Sequence, residues 1–250
     1  MKHLALLRLA VIVLAVAAVE VLCRKGVIDA FTMPAPSKIL ADLWSMLISG
    51  KHNAAIAKTM SNAGVALGIS IACGILIAVL VHRLLLVREA LDPLFATYYA
   101  VPVIAFYPLL IILFGVGDAP KIAIATMLSI IAVIVNTLNG LDRVPRVLLK
   151  TARIVRMTHA EAALRVTLPY AMPYVLTGVK FAVAYSLIGI IGSEFIMSSD
   201  GIGFEIAFAY NNFDNATMYP LIVLVLIISI GLNLVISIWE RSMLGRRGLR

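Results

Sequence analysis

The stretch Leu168–Ile196, LPYAMPYVLTGVKFAVAYSLIGIIGSEFI, carries two charges, Lys180 and Glu194, in 29 residues. A helix needs about 20 apolar residues to cross the hydrocarbon of a bilayer, and residues 175–197 supply one crossing. Outward from it the pattern repeats. Five further apolar runs of suitable length occupy residues 4–23, 63–82, 95–114, 122–138 and 218–239. The 250-residue chain is 62% hydrophobic and 14% charged, far from the balance of a soluble domain. The reading is all-α: a polytopic membrane protein of six spans forming a single domain over residues 1–250.

Lys2 ahead of an apolar run containing Ala15-Val16-Ala17 resembles a secretory signal, but five more spans follow, so the run reads as an uncleaved anchor. Leu22 stands where a lipidated Cys23 would need a small residue. Two cysteines, both inside spans, support neither a disulfide framework nor a metal cluster. The net charge of +8 is read as membrane topology, not as nucleic-acid binding. With both termini cytoplasmic, the inner segments hold fourteen of the Lys and Arg residues and the outer segments six.

The outer loop from Arg24 to Asn62 contains MPAPSKIL (Met33–Leu40), whose prolines block helix. Ile39, Leu40, Leu43, Trp44, Leu47 and Ile48 follow at amphipathic spacing, as in a helix lying on the membrane or packed against other spans. Gly64 and Gly68 in the second span make a G-x-x-x-G pattern that would permit close helix approach. Pro102 and Pro108 should bend the third span, and Gly115 to Pro120 should form a tight turn into the fourth.

The cytoplasmic insert, residues 141–174, is long and polar. Val144, Val147, Leu148, Thr151, Ile154 and Val155 fall on one helical face, and Arg143, Arg146, Lys150, Arg153 and Arg156 on the other. The basic face could meet lipid phosphates or an acidic protein groove. Thr158-His159-Ala160-Glu161 reads as a capping box that starts a second short helix, ending near Leu168-Pro169.

The insert, the Leu168–Ile196 stretch and GIGFEIA (Gly201–Ala207), together with MPAPSKIL and PLLIILFGVGDAPKI (Pro108–Ile122), resemble the permease subunits of ATP-binding-cassette (ABC) importers. The likeness is to the branch serving nitrate, taurine, alkyl sulfonates and thiamine precursors, and it covers nearly the whole chain. It implies the type I importer permease fold and residence in the bacterial inner membrane. It also implies three kinds of partner: two copies of an ATPase subunit, a second permease copy, and an external or periplasmic substrate-binding protein. The family signature reads E-A-A, three residues, G, nine residues, I, one residue, L-P. Counted back from Leu168-Pro169, it puts the isoleucine position at Val166, the glycine at Arg156 and E-A-A at Lys150-Thr151-Ala152. The literal EAA at Glu161–Ala163 is out of register.

The resemblance implies that the coupling loop contacts the ATPase through Lys150, Arg153, Arg156 and Met157. Thr158, His159, Ala160, Glu161, Arg165 and Pro169 continue that surface. With arginine at the glycine position, the bend is expected either to use other geometry or to join the two helices more continuously. The phosphate-binding pattern G-x-x-x-x-G-K-[ST] does not occur, since Gly50-Lys51 is followed by His52. ATP therefore belongs to a partner, and no cofactor is expected on this chain.

For the translocation pathway, span five offers a small, polar stripe: Tyr185, Ser186, Gly189, Ser193 and Glu194. Glu194 could line the path, act in a gate, or hydrogen-bond between packed helices. Lys180 is expected to snorkel toward the cytoplasmic headgroups, and Asp200 and Asp214 to be solvated outer-loop acids. The four histidines are scattered, so no metal site is expected. An ATP-independent secondary transporter would need internal repeats and mid-span ion-coupling charges, and an intramembrane enzyme a clustered catalytic set. The sequence displays neither.

Overall fold

The computed structural model describes residues 2–29 and 31–246; Arg247 and Arg250, counted above in fixing topology, lie outside them. No strand occurs among the described residues. Among the described residues, five helices are long and apolar enough to cross a membrane, and a bent pair would make a sixth crossing if it is one span. The straight spans are α1 (Lys2–Arg24), α3 (Asn53–Arg83), α6 (Asp118–Asp142), α9 (Leu168–Met197) and α11 (Asn215–Arg246).

The third span departs from the straight run over 95–114. It consists of α4 (Leu85–Thr97), two 3-10 turns and α5 (Tyr107–Phe114), with 87° between its halves. The cause is local. Proline disfavours helical geometry in the residue before it, and Val101 is extended at ψ 124° ahead of Pro102. Pro108 sits in the first turn of α5, where no amide is needed for a helical bond.

The outer loop is mostly helical. α2 (Pro36–Ser49) buries Ile39 and Leu43, the latter against Leu221 and Leu224 of α11, while Leu40, Trp44 and Ile48 stay exposed. Thus both readings of this helix hold in part: one side packs, the other faces outward. Ser37 ties it to α1 by donating through its amide (2.9 Å) and hydroxyl (2.7 Å) to Glu20.

The core lies where α6 passes between α3 and α9. Without a hydrophobic drive between helices in lipid, small residues that let backbones approach supply the packing. A Cβ on Gly189 would lie 2.5 Å from Ala125 Cα, and one on Gly178 would lie 3.0 Å from Ala132 O. Gly64 and Gly68, the G-x-x-x-G pair, face open space, and α3 instead meets Val133 of α6 at Gly74. Glycine spacing alone does not say which side of a helix is covered. Ser70 and Ser129 add a hydrogen bond of 2.6 Å between the same two helices.

Gly189→Ala is expected to cost about 1–3 kcal/mol through overpacking, whereas Gly68→Ala should leave stability unchanged or slightly raised. Thermal unfolding in detergent distinguishes the two.

Candidate functional site

The polar insert begins with α7 (Arg146–Ile154), held at its entry by Arg143, which donates to Tyr174 Oη (2.9 Å). Its end is a two-bond closure in which Met157 N–H donates to Ala152 O and Arg156 N–H to Arg153 O, both 3.0 Å. This is a Schellman motif, which requires a left-handed residue just past the helix end and is usually built with glycine. Arg156 takes that position with φ 56°. The arginine has therefore kept the glycine's geometry; the bend is neither rebuilt nor straightened into a longer helix.

Thr158 then caps α8 (His159–Ala162). Its amide donates to Glu161 Oε2 at 2.9 Å, and the Glu161 amide donates to Thr158 Oγ1 at 3.2 Å, the reciprocal pair of a capping box. The second coupling helix does not stop at Leu168-Pro169. It passes through a π turn over Ala163–Thr167 straight into α9. A proline ring inside regular α-helix clashes with the carbonyl four residues back; the widened turn ahead of Pro169 relieves that clash.

The insert presents its apolar face outward. Val147 is 70% exposed, Ile154 81%, Val155 62% and Leu164 67%. Leu149, Ala152 and Arg153 turn toward the ends of the membrane helices, along with the half-buried Met157. The exposed surface of the insert is thus an apolar patch rimmed by Arg146, Lys150 and Arg156, with Arg165 on the π turn and Ala160 exposed on α8. The helical wheel divides α7 into two faces, but which one points inward depends on neighbours distant in sequence. The His159 side chain lies outside the described residues.

At the end of α9 away from the insert, Glu194 is fully enclosed. It accepts from Thr59 Oγ1 at 2.8 and 3.0 Å and from Gly203 N–H at 3.0 Å. Thr59 Oγ1 in turn accepts from Ile202 N–H at 2.8 Å. The carboxylate so binds α3 to the start of α10 (Ile202–Asn211), a short helix between the last two spans. Gly201, at φ 95°, lies against the carboxylate so closely that a Cβ would collide with it.

Beside this lies a second polar cluster. Lys121, 1% exposed, pairs with Asp200 and with Asp118 at 3.1 Å. Lys58 reaches Asp118 at 2.5 Å and Asp200 at 3.7 Å, and Asn62 donates to Asp118 at 3.0 Å. Asp200 is therefore no free loop acid. Partial burial raises its proton affinity, but the hydrogen bond and charge of Lys121 outweigh this and hold the carboxyl below its ordinary range. Asp214 is engaged too, accepting from Thr217 N–H at 3.1 Å as the N-cap of α11. Lys180 pairs with Glu240 of α11.

The polar stripe of span five is largely a packing face. Ser186 donates to Val183 O at 3.0 Å and Ser193 to Gly189 O at 2.6 Å, and both are buried with Gly189 and Glu194. These four residues line no open space in the single chain, because the stripe is covered by α3, α6 and α10. Tyr185 alone is half-buried; its ring lies 5.8 Å from that of Tyr99, beside the broken span three. Tyr99 and Thr59 escaped sequence reasoning. Adjacency to Pro102 is the one local signal for Tyr99, and Thr59 has none.

Five helices of membrane-crossing length and one bent pair around a glycine-packed trio, with a capped helical insert on one side, make up a polytopic membrane domain. Over residues 64–246 the chain matches the family described as binding-protein-dependent transport system inner membrane component, and it belongs to that family. It is a permease subunit of an ABC importer. The nitrate import permease protein of Leptolyngbya laminosa is 26% identical over 211 residues, covering 81% of this chain and 76% of that protein. The putative aliphatic sulfonates transport permease protein of Bacillus subtilis is 26% identical over 187 residues, covering 75% and 68%. Among solved structures, the inward-facing MetNI methionine ABC transporter shares the fold at TM-score 0.62 and 16% identity, covering 84% of this chain and 97% of that one.

Arg156→Gly should stabilise the protein by about 1 kcal/mol by removing the left-handed penalty, read as a raised unfolding midpoint. Glu194→Ala leaves the Thr59 hydroxyl and the Gly203 amide without their acceptor and should cost about 1–3 kcal/mol for each group stranded. Glu194→Gln, which keeps an acceptor, should cost less in the same assay.

Proposed function

We propose that two copies of this chain form the translocation path of an importer driven by two copies of a separate ATPase and supplied by an external or periplasmic binding protein, in the bacterial inner membrane with both termini inside. The observation that carries the reading is the apolar patch of α7 and the π turn. Exposed apolar surface of this kind, rimmed by polar residues, marks a protein contact. On the cytosolic side of a permease, the ATPase is the partner that needs one.

Transmission follows from continuity. The capped α8, the π turn and α9 make one helical unit over residues 160–197, so a push on the docked patch moves span five as a rod. Its far end carries Glu194 and, through Thr59 and Gly203, the outer helix α10. Closure of the ATPase pair on ATP would rock this unit between inward-open and outward-open states.

The path itself runs past the break in span three. Exposed non-helical backbone is tolerated at membrane depth only beside protein or water, and Tyr99 and Val101 are both exposed in the single chain. Tyr185 shares this opening; Ser186, Gly189, Ser193 and Glu194 serve the path from behind by fixing the position of span five. The cargo is a small nutrient, in keeping with relatives named for nitrate and aliphatic sulfonates, and the sulfonate, taurine or nitrate-like anions precede thiamine-precursor-like compounds as candidates. The binding protein does most of the selecting.

Val147→Glu combined with Ile154→Glu should abolish co-purification with the ATPase while leaving membrane insertion and the unfolding midpoint unchanged. Retained co-purification would refute the docking patch. Uptake by the reconstituted chain without any ATPase would favour an ion-coupled secondary transporter instead.

A further inference from the structure

A groove of about 430 Å³ runs between α1, α2 and α11. α2 leads into the first turns of α3, where Thr59 meets Glu194, so the groove lies at the end of the bundle away from the insert. Ala15, Val16 and Val19 of α1 form one wall, Ile39 and Leu40 of α2 the second, and Val223 of α11 the third; no polar side chain lines it. An apolar cavity of about 150 Å³ already stays dry and takes a benzene-sized guest, so this groove suits longer hydrocarbon. Ala15 and Val19 lie about 8–14 Å before Arg24 along the helix. With Arg24 at the headgroups, that is the depth of acyl chains.

The mouth of the groove is basic. Ser37 donates to Glu20 through its amide and hydroxyl, which brings the end of α1, with Arg24 and Lys25, to the start of α2, with Lys38. Arg24 is matched by Glu20 at 2.6 Å, and Asp29 serves its own loop by accepting from the Phe31 amide at 3.1 Å. Lys25 and Lys38 are exposed and make no ion pair among the described residues, not even Lys38 with Asp42 one turn on. Positive residues are ordinarily concentrated on the cytoplasmic side. On the orientation proposed above these two lysines fall outside, so topology does not account for them.

α1 also needs a further hold. Its apolar stretch lies wholly outside the core, and it meets the bundle chiefly through α2. A helix from a second copy would fill the slot but leave both lysines unmatched. A phospholipid supplies hydrocarbon and anion in one molecule, at the spacing the bilayer already imposes, and basic residues at this level attract anionic headgroups. We propose that the groove binds one anionic phospholipid from the leaflet opposite the insert, its phosphate between Lys25 and Lys38 and one acyl chain between α1 and α11. The lipid fastens the first span to the bundle.

The test uses the full chain in detergent, titrated with phosphatidylglycerol or phosphatidylcholine and read by native mass spectrometry, which reports bound lipid and copy number together. Neither the ATPase nor the direction of insertion enters the result. Phosphatidylglycerol should be retained in preference to phosphatidylcholine. Lys25→Gln with Lys38→Gln should lower its retention roughly tenfold. Lys51→Gln with Arg241→Gln, which removes the same charge at exposed positions away from the groove, should change it less than about twofold. Ala15→Trp fills the groove with both lysines kept and is expected to lose the lipid as well. Equal losses from the two double variants, equal retention of the two lipids by the unaltered chain, or unchanged retention by Ala15→Trp would each overturn the proposal. If Ala15→Trp splits a dimer while bound lipid stays unchanged, the groove belongs to a second copy instead.

Discussion

The contact between α6 and α9 at Gly189 and Gly178 governs the rest of the structure. With hydrogen in place of a side chain, the two backbones lie closer than any other residue would allow, and in lipid this closeness is the principal source of attraction. Because α9 is continuous with the coupling insert, fixing α9 on α6 also fixes where the insert emerges. The same contact buries the serines and Glu194 farther along the helix and gives the outer end its register against α3.

Charge placement obeys the same economy. Ionised groups inside a span are costly unless paired, and several of those described here are partnered across helices: Lys180 with Glu240, Lys121 with Asp200, Arg88 with Asp142. The first and last of these pairs join different helices, and the Lys121 pair joins α6 to the turn between α9 and α10. A motion of α9 against α11 must therefore carry the Lys180–Glu240 pair along or exchange it.

Legibility in the sequence followed the range of each interaction. The crossings, the capping box and the special position at Arg156 depend on residues a few places apart and could be read directly, the last with help from the family register. The bend at Pro102 was visible; its 87° magnitude, which depends on how α4 and α5 pack, was not. Glu194 was conspicuous as a charge in a span, but its partners Thr59 and Gly203 lie 135 and nine residues away in sequence. The orientation of α7 failed for the same reason. Periodicity divides a helix into two faces, and only the ends of α3 and α6 determine which of them is covered.

That orientation has a consequence for the life of the subunit. Val147, Ile154, Val155 and Leu164 make a greasy exposed surface that water does not tolerate well alone. If the ATPase docks there as proposed, a chain inserted without it would leave this apolar mark uncovered, and a chain that has found it would hide the mark. On the proposed docking, the surface that would transmit force would also report whether assembly has finished, linking the abundance of one polypeptide to the supply of another.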